Sequence, residues 1–325
     1  MHRCGRTRPA GTLLPPHARS IAGARILTTG AENELFTIRD WLRYAVSRFT
    51  SAGVFFGHGT NNAFDEAAWL ILHTLSLPHE RLEIFLDARL SSDERLAVSR
   101  MIERRAVDRL PTAYLTNEAW LGNYRFHVDE RVIVPRSYFA DLIFEGAFAP
   151  WLAQPDAVSH VLDLCTGSGC LAILLADAYP NAMVDAVDIS PDALQVARRN
   201  IDQHGLSDRV TPIESDLFSA LGGRRYDLIV CNPPYVTAEA VAALPVEYRH
   251  EPLLALAAGE DGLDVVRRLL AEAAGHLNQH GILAVEVGHN RTIMEDAYPD
   301  LPLIWLSTAQ EDDKVFLLER DDLQR

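Results

Sequence analysis

The chain has 325 residues, 48% hydrophobic and 23% charged, the profile of a globular protein with one large or two ordinary domains. Its formal net charge is -15, without the basic face of a nucleic-acid binder, and no apolar run approaches the ~20 residues of a membrane span. An acidic surface suits a basic protein partner through long-range attraction, although solubility alone explains it more simply.

Residues 1–31 carry Arg3, Arg6, Arg8, Arg19 and Arg25, no acidic residue, and Pro9, Pro15 and Pro16. Arginine-rich, acid-poor segments can be targeting peptides, but these prolines break any long amphipathic helix. Either a disordered extension or a start codon assigned too early is expected, and in both cases a segment dispensable for activity. Residues 32–115 read as a small helical bundle. Trp41, Leu42, Ala45, Val46 and Phe49 recur at helical spacing. A second helix over 65–75 places Ala68, Trp69, Leu72 and Leu75 on one face, and Pro78 stops it. Leu82, Phe85 and Leu86 open another, and Ser92 is positioned to cap the next, through Leu96 and Ile102. His58, His73 and His79 show no ligand spacing.

Pro111 ends the bundle. Alternating runs at 124–128 and 131–134, parted by Asp129-Glu130, read as a β-hairpin linker within 116–137. From 138 onward the rhythm is strand, helix, strand. Apolar runs fall at 158–164, 182–187, 210–213, 226–230 and 281–287, with helices between. The runs at 303–306 and 315–318 read as a closing antiparallel pair. Strands buried on both faces and alternating with helices mean a seven-stranded, mostly parallel sheet, an α/β fold of Rossmann-like type.

The first of these strands runs into Asp163-Leu164-Cys165-Thr166-Gly167-Ser168-Gly169-Cys170-Leu171-Ala172. Glycines at 167 and 169 permit a tight turn and close approach to a ligand, and Ala172 lets the helix pack near the sheet, a GxGxxG/A pattern. The second strand ends in Asp188-Ile189-Ser190, where a carboxylate accepts from both ribose hydroxyls or, less specifically, caps the next helix. The third leads into Asp216-Leu217-Phe218. Asp216 is placed to accept from an adenine amino group, and Leu217 and Phe218 to flank the ring. Together these read as an adenosine site without separating a dinucleotide from S-adenosyl-L-methionine. Cys165, Cys170 and Cys231 fall in or beside this region. With Cys4 they form no CxxC pair, so no metal site is expected; they read as small buried residues of a reducing compartment.

The fourth strand ends in Cys231-Asn232-Pro233-Pro234-Tyr235. The prolines lack N–H groups and stiffen the loop, leaving carbonyls free to accept. The Asn232 oxygen is another acceptor, and Tyr235 offers a stacking face. A planar, conjugated NH2 group needs such features: Asn232 and the Pro233 carbonyl each hold one N–H while a sulfonium methyl is displaced. Catalysis is then mostly positioning and electrostatics. A binding-only or dehydrogenase reading leaves this tetrapeptide without a task.

With Asp163–Gly169 and Asp188 upstream, Asn-Pro-Pro-Tyr resembles the class I S-adenosylmethionine methyltransferases that modify planar amino groups. The helical N-terminal region, Val132-Ile133-Val134-Pro135-Arg136, Glu251-Pro252 and Gly259-Glu260-Asp261-Gly262-Leu263 are similar to the HemK-type protein glutamine methyltransferases, over about residues 36–320. The resemblance implies that Asp163, Cys165, Thr166, Gly167, Ser168, Gly169, Asp188, Ile189, Asp216, Leu217 and Asn232 form the cofactor site. It implies that Asn232, Pro233, Pro234 and Tyr235 hold the glutamine, with Asn232, Pro233 and Tyr235 catalytic. The bundle would dock the substrate, and residues 138–325 would carry the chemistry. Glu247-Tyr248-Arg249-His250-Glu251-Pro252 and Pro135-Arg136-Ser137 look like the branch that modifies large-subunit ribosomal protein three, in the cytoplasm and before ribosome assembly. Alternatives are the GGQ glutamine of peptide-release factors and, in another class, DNA adenine methylation; the latter wants a basic recognition region. The loop 237–260 should cover the glutamine, and its Glu247, Glu251 and Glu260, with Asp261, read as an acidic surface for a basic partner.

Overall fold

The computed structural model describes residues 30–308 and 312–324. The expected extension lies almost wholly outside the described residues. Helices Ile38–Ala52, Ala63–Thr74 and Ser92–Glu103 pack on one another. Each starts on a residue that satisfies its orphan N–H groups. Thr37 and Asp40 form a capping box, Asn62 accepts from Phe64 and Asp65, and Ser91 forms a second box with Glu94. The cap is thus Ser91 rather than Ser92, because only Ser91 has a glutamate three residues on. In the second helix Leu72 is buried as expected, with Ala68, Trp69 and Leu75 partly buried against the core; Ala67, Leu70 and Ile71 are buried as well, and so is Glu66.

The hairpin also differs. Strands β1 (Ala119–Leu121) and β2 (Tyr124–Phe126) pair antiparallel around Gly122-Asn123, a two-residue turn with Gly122 at φ +58°. Residues 131–134 form no strand. Their backbone is committed elsewhere: the Arg131 N–H donates to the Asp129 side chain, Val132 to the Asp129 carbonyl, and Val134 to Glu251.

The sheet comprises β3 (His160–Leu164), β4 (Met183–Asp188), β5 (Val210–Glu214), β6 (Tyr226–Cys231), β7 (Leu277–Glu286), β8 (Ile304–Ser307) and β9 (Asp312–Glu319). The order is β5-β4-β3-β6-β7-β9-β8, parallel from β5 to β7, with β9 antiparallel to both neighbours. Each expected strand is present. Alternate side chains face opposite layers: Val161 joins a core continuous with the N-terminal helices, whereas Leu162 and Leu164 join the core on the other face. The order reverses between β3 and β6, which opens a crevice at their carboxyl ends.

Buried charges tie the helices to the loop after β6. Arg105 is fully buried, pairs with Glu66, lies 3.4 Å from Glu247, and donates to the Phe55 carbonyl at 2.8 Å. Arg109 bonds the same Glu247 oxygen at 2.8 Å. Burial opposes ionisation of Glu247, but the Phe55 N–H and the Arg109 guanidinium more than offset it and hold the carboxyl below its usual range. Glu251 accepts from the Val134 N–H at 3.0 Å and from Arg136 through both oxygens. Glu247 and Glu251 are therefore internal braces, and the acidic docking surface expected of them does not form. Removing one member of a buried pair strands the other. Arg105→Ala should lower stability by about 3–5 kcal/mol in urea denaturation; a loss under about 1 kcal/mol would contradict this bracing role.

Candidate active site

The β3 turn builds the first half of the site. Asp163 is fully buried; one oxygen accepts from the Thr166 hydroxyl at 2.6 Å and from the Ala172 N–H at 3.0 Å. Burial pushes its carboxyl up to about 7. Thr166 and Ser168 are buried within the turn, and Asn200 donates to the Ser168 carbonyl at 2.8 Å. Gly169 has φ +79°, and a Cβ there would sit 3.3 Å from the Ala197 backbone; it lets helices Cys170–Ala178 and Pro191–Gln203 approach. Asp163, Thr166, Ser168 and Gly169 thus shape the turn without lining the cleft beside it.

Cys165, Gly167, Asp188, Ile189, Asp216, Leu217 and Asn232 do line that cleft. Asp188 accepts from Gly167 and Ser190 N–H groups, both at 2.9 Å, on separate oxygens. Each oxygen keeps a second acceptor site, directed by a rigid backbone. Desolvation raises the Asp188 pKa. Ser190, not Asp188, caps the following helix. Asp216 pairs with Arg268 at 2.8 Å on the rim. Phe218 departs from expectation: after Leu217 at φ +48° the chain turns, and the Phe218 ring stacks on His276 with centroids 4.5 Å apart, inside the core. The cleft also has apolar walls that were not among the expected cofactor contacts: Ile133, Leu254, Ala255 and Val265. Cys165 and Cys231 are free, with sulfurs 4.0 Å apart.

A second cleft opens on the other side of Asn232. Pro233, Tyr235, Arg136, Tyr138, Tyr248 and Glu286 line it, and Asn232 borders both clefts, as do Ile133 and Ala255. Pro234, grouped with the glutamine contacts from sequence, faces the first cleft instead. Among the described residues, neither the Asn232 side chain nor the Pro233 carbonyl has another hydrogen-bond partner. The Tyr235 hydroxyl donates to Glu286 at 3.1 Å, and Asn290 donates to the Tyr235 carbonyl at 2.6 Å. Gly288 makes room for that ring, since a Cβ would lie 2.7 Å from it. Glu286 is fully buried, also accepts from the Ser137 hydroxyl and the Tyr138 N–H, and is pushed up to about 7 by burial. No motif pointed to Glu286 or Arg268, whose distance in sequence hides them; Tyr248 lies in the stretch 247–252 that carried the resemblance, but that stretch gave it no role in the cleft.

Comparison with known proteins bears on this arrangement. Residues 147–247 match the model of the methyltransferase small domain, and residues 40–116 that of the PrmC N-terminal domain. The chain is 57% identical over 293 residues to the ribosomal protein uL3 glutamine methyltransferase of Neisseria gonorrhoeae, covering 90% of this chain and 97% of that one. The Bordetella pertussis protein of the same name is 57% identical over 89% of this chain and 97% of its own length. That of Bradyrhizobium diazoefficiens is 48% identical over 94% and 97%. The chain belongs to the ribosomal protein uL3 glutamine methyltransferase family. It is a methyltransferase with the class I fold, and the first cleft fits S-adenosylmethionine. Asp188 offers two fixed acceptors for ribose hydroxyls, apolar walls suit adenine, and the open end of the cleft leads to Asn232. Bound there, the cofactor supplies an electrophilic methyl group on a sulfonium sulfur.

Two outcomes follow from this geometry. Asp188→Ala should weaken S-adenosylmethionine binding by about tenfold or more, the scale of hydrogen bonds to a charged group; calorimetry showing unchanged affinity would remove Asp188 from the site. Asp163 and Glu286 hold protons more tightly folded than unfolded. Their contribution to stability is full below about pH 4 and is lost as pH rises to about 7. Urea denaturation across that window should show a smaller decline in Glu286→Gln than in the wild type. Identical pH slopes would mean that Glu286 titrates normally.

Proposed function

We propose that the chain transfers a methyl group from S-adenosylmethionine to the side-chain amide nitrogen of a glutamine in ribosomal protein uL3, in the cytoplasm and before the protein is assembled into the large subunit. The observation that carries this reading is the place of Asn232, on the boundary of two clefts, with its side chain and the Pro233 carbonyl bare of other partners among the described residues. The names of relatives 48–57% identical supply the substrate.

The side-chain amide is planar, and delocalisation makes its nitrogen a weak nucleophile. In this reading the Asn232 oxygen and the Pro233 carbonyl each accept one N–H, and Tyr235 lies against the amide plane. These fixed acceptors turn the nitrogen toward the first cleft and stabilise the positive charge that builds on it. They need no reorganisation, because prolines, Asn290 and Glu286 hold the loop. The nitrogen becomes acidic once alkylated, so its proton leaves without a dedicated base. Asp188, Ile189 and Leu217 hold the adenosine end, whereas Asp163, Thr166, Ser168 and Gly169 serve the site by shaping its turn. The helices within 32–115 dock the substrate, residues 116–137 link, and 138–325 carry the chemistry.

A charge of -15 favours a free basic ribosomal protein over one already wrapped in RNA, and disfavours DNA. Among the described residues, no helix is long and apolar enough to cross a membrane. Competition for labelled S-adenosylmethionine tests the substrate. Free uL3 should be labelled faster than mature subunits or a release factor, by a margin that shrinks with salt. Equal or faster labelling of the release factor would overturn the choice of uL3.

A further inference from the structure

Tyr248 stands in the wall of the second cleft, and its ring lies against the loop between helices Ile38–Ala52 and Ala63–Thr74. The His58 ring centroid is 4.5 Å from it, the Phe55 centroid 5.9 Å, and the Arg136 guanidinium carbon 5.2 Å. Residues on both sides of Tyr248 are pinned. Glu247 is locked by Arg105, Arg109 and the Phe55 N–H, and Glu251 by Arg136 and Val134. His58 is 2% exposed, and among the described residues neither ring nitrogen has a hydrogen-bond partner. Burial pushes its pKa down to about 4, so it meets Tyr248 as a neutral ring, tilted by 54°. The Tyr248 hydroxyl makes no hydrogen bond among the described residues.

Buried ion pairs rarely add net stability, because desolvation offsets their attraction; what they can supply is one defined geometry. Here two such clusters flank a single aromatic residue, and that residue faces the cleft read above as the glutamine site. An aromatic wall gives a large apolar contact at little conformational cost. We propose that Tyr248 is a specificity-determining residue that packs against the glutamine-bearing segment of the protein substrate, and that Phe55 and His58, in the loop between helices Ile38–Ala52 and Ala63–Thr74, are its positioning residues. The N-terminal region thereby acts on substrate choice from within the cleft, in addition to any outer docking surface. The inference rests on the glutamine reading of that cleft.

Steady-state methylation of free uL3 and of a release factor, with calorimetry for S-adenosylmethionine, tests it. Tyr248→Ala should raise KM for uL3 by about tenfold or more, the scale of an aromatic anchor. The same variant should change kcat much less, and should keep its cofactor affinity because Tyr248 does not line the first cleft. Tyr248→Phe, which keeps the ring, should recover most of the lost KM. His58→Ala should raise KM in the same direction and add little in the double variant with Tyr248→Ala. An unchanged KM in Tyr248→Ala, or a parallel loss of kcat and cofactor affinity, overturns the assignment while the wild type still labels uL3. A wild type that labels neither protein brings down the functional reading itself.

Discussion

Strands β3 and β6 lie side by side and parallel, but the chain leaves them toward opposite edges of the sheet. The crevice at their carboxyl ends is where this fold leaves room for a ligand. Leu164 and Cys231 are register partners, so the β3 turn and the Asn232 loop begin at one level. From that constraint follow the cofactor cleft above β3 and β4, the second cleft beside β6 and β7, and the place of Asn232 on the border of both. A chain with the same motifs on non-adjacent strands would hold the two ligands apart.

The crevice still needs a roof, and the loop after β6 provides it. That loop carries few large buried apolar groups of its own; Leu253 and Leu254 are largely exposed. Glu247 and Glu251 hold it instead, each buried and each paired with arginines from earlier in the chain. Directional bonds suit this task better than apolar burial, because they fix orientation as well as proximity. They place Tyr248 in the second cleft and leave Ala255 between the two. Glu286 does the same from below, receiving the Tyr235 and Ser137 hydroxyls and the Tyr138 N–H.

The sheet is legible in the sequence because its strands are buried on both faces, which writes each one as an apolar run bounded by turns. The positions of Asp188 and Asn232 are legible for the same reason: both follow directly from strand ends. What stays hidden depends on partners far along the chain. Nothing near Glu247 shows that Arg105 and Arg109 will meet it, so two buried braces look like surface charge. The direction of Phe218 hinges on a left-handed Leu217, a backbone state that composition does not encode. The hairpin register was set by Gly122-Asn123, a stronger turn signal than Asp129-Glu130. Glu66 is buried opposite Arg105, a pairing that the apolar pattern of its helix does not show.

In the proposed function, Asn232 orients the acceptor amide at the junction of the clefts without being needed to hold the cofactor. Single-turnover methylation by Asn232→Ala, at saturating S-adenosylmethionine and uL3, measures this directly when paired with cofactor affinity by calorimetry. The chemical rate should fall by about 10²–10³ while affinity changes by only a few-fold. A near-normal rate in that variant would contradict it.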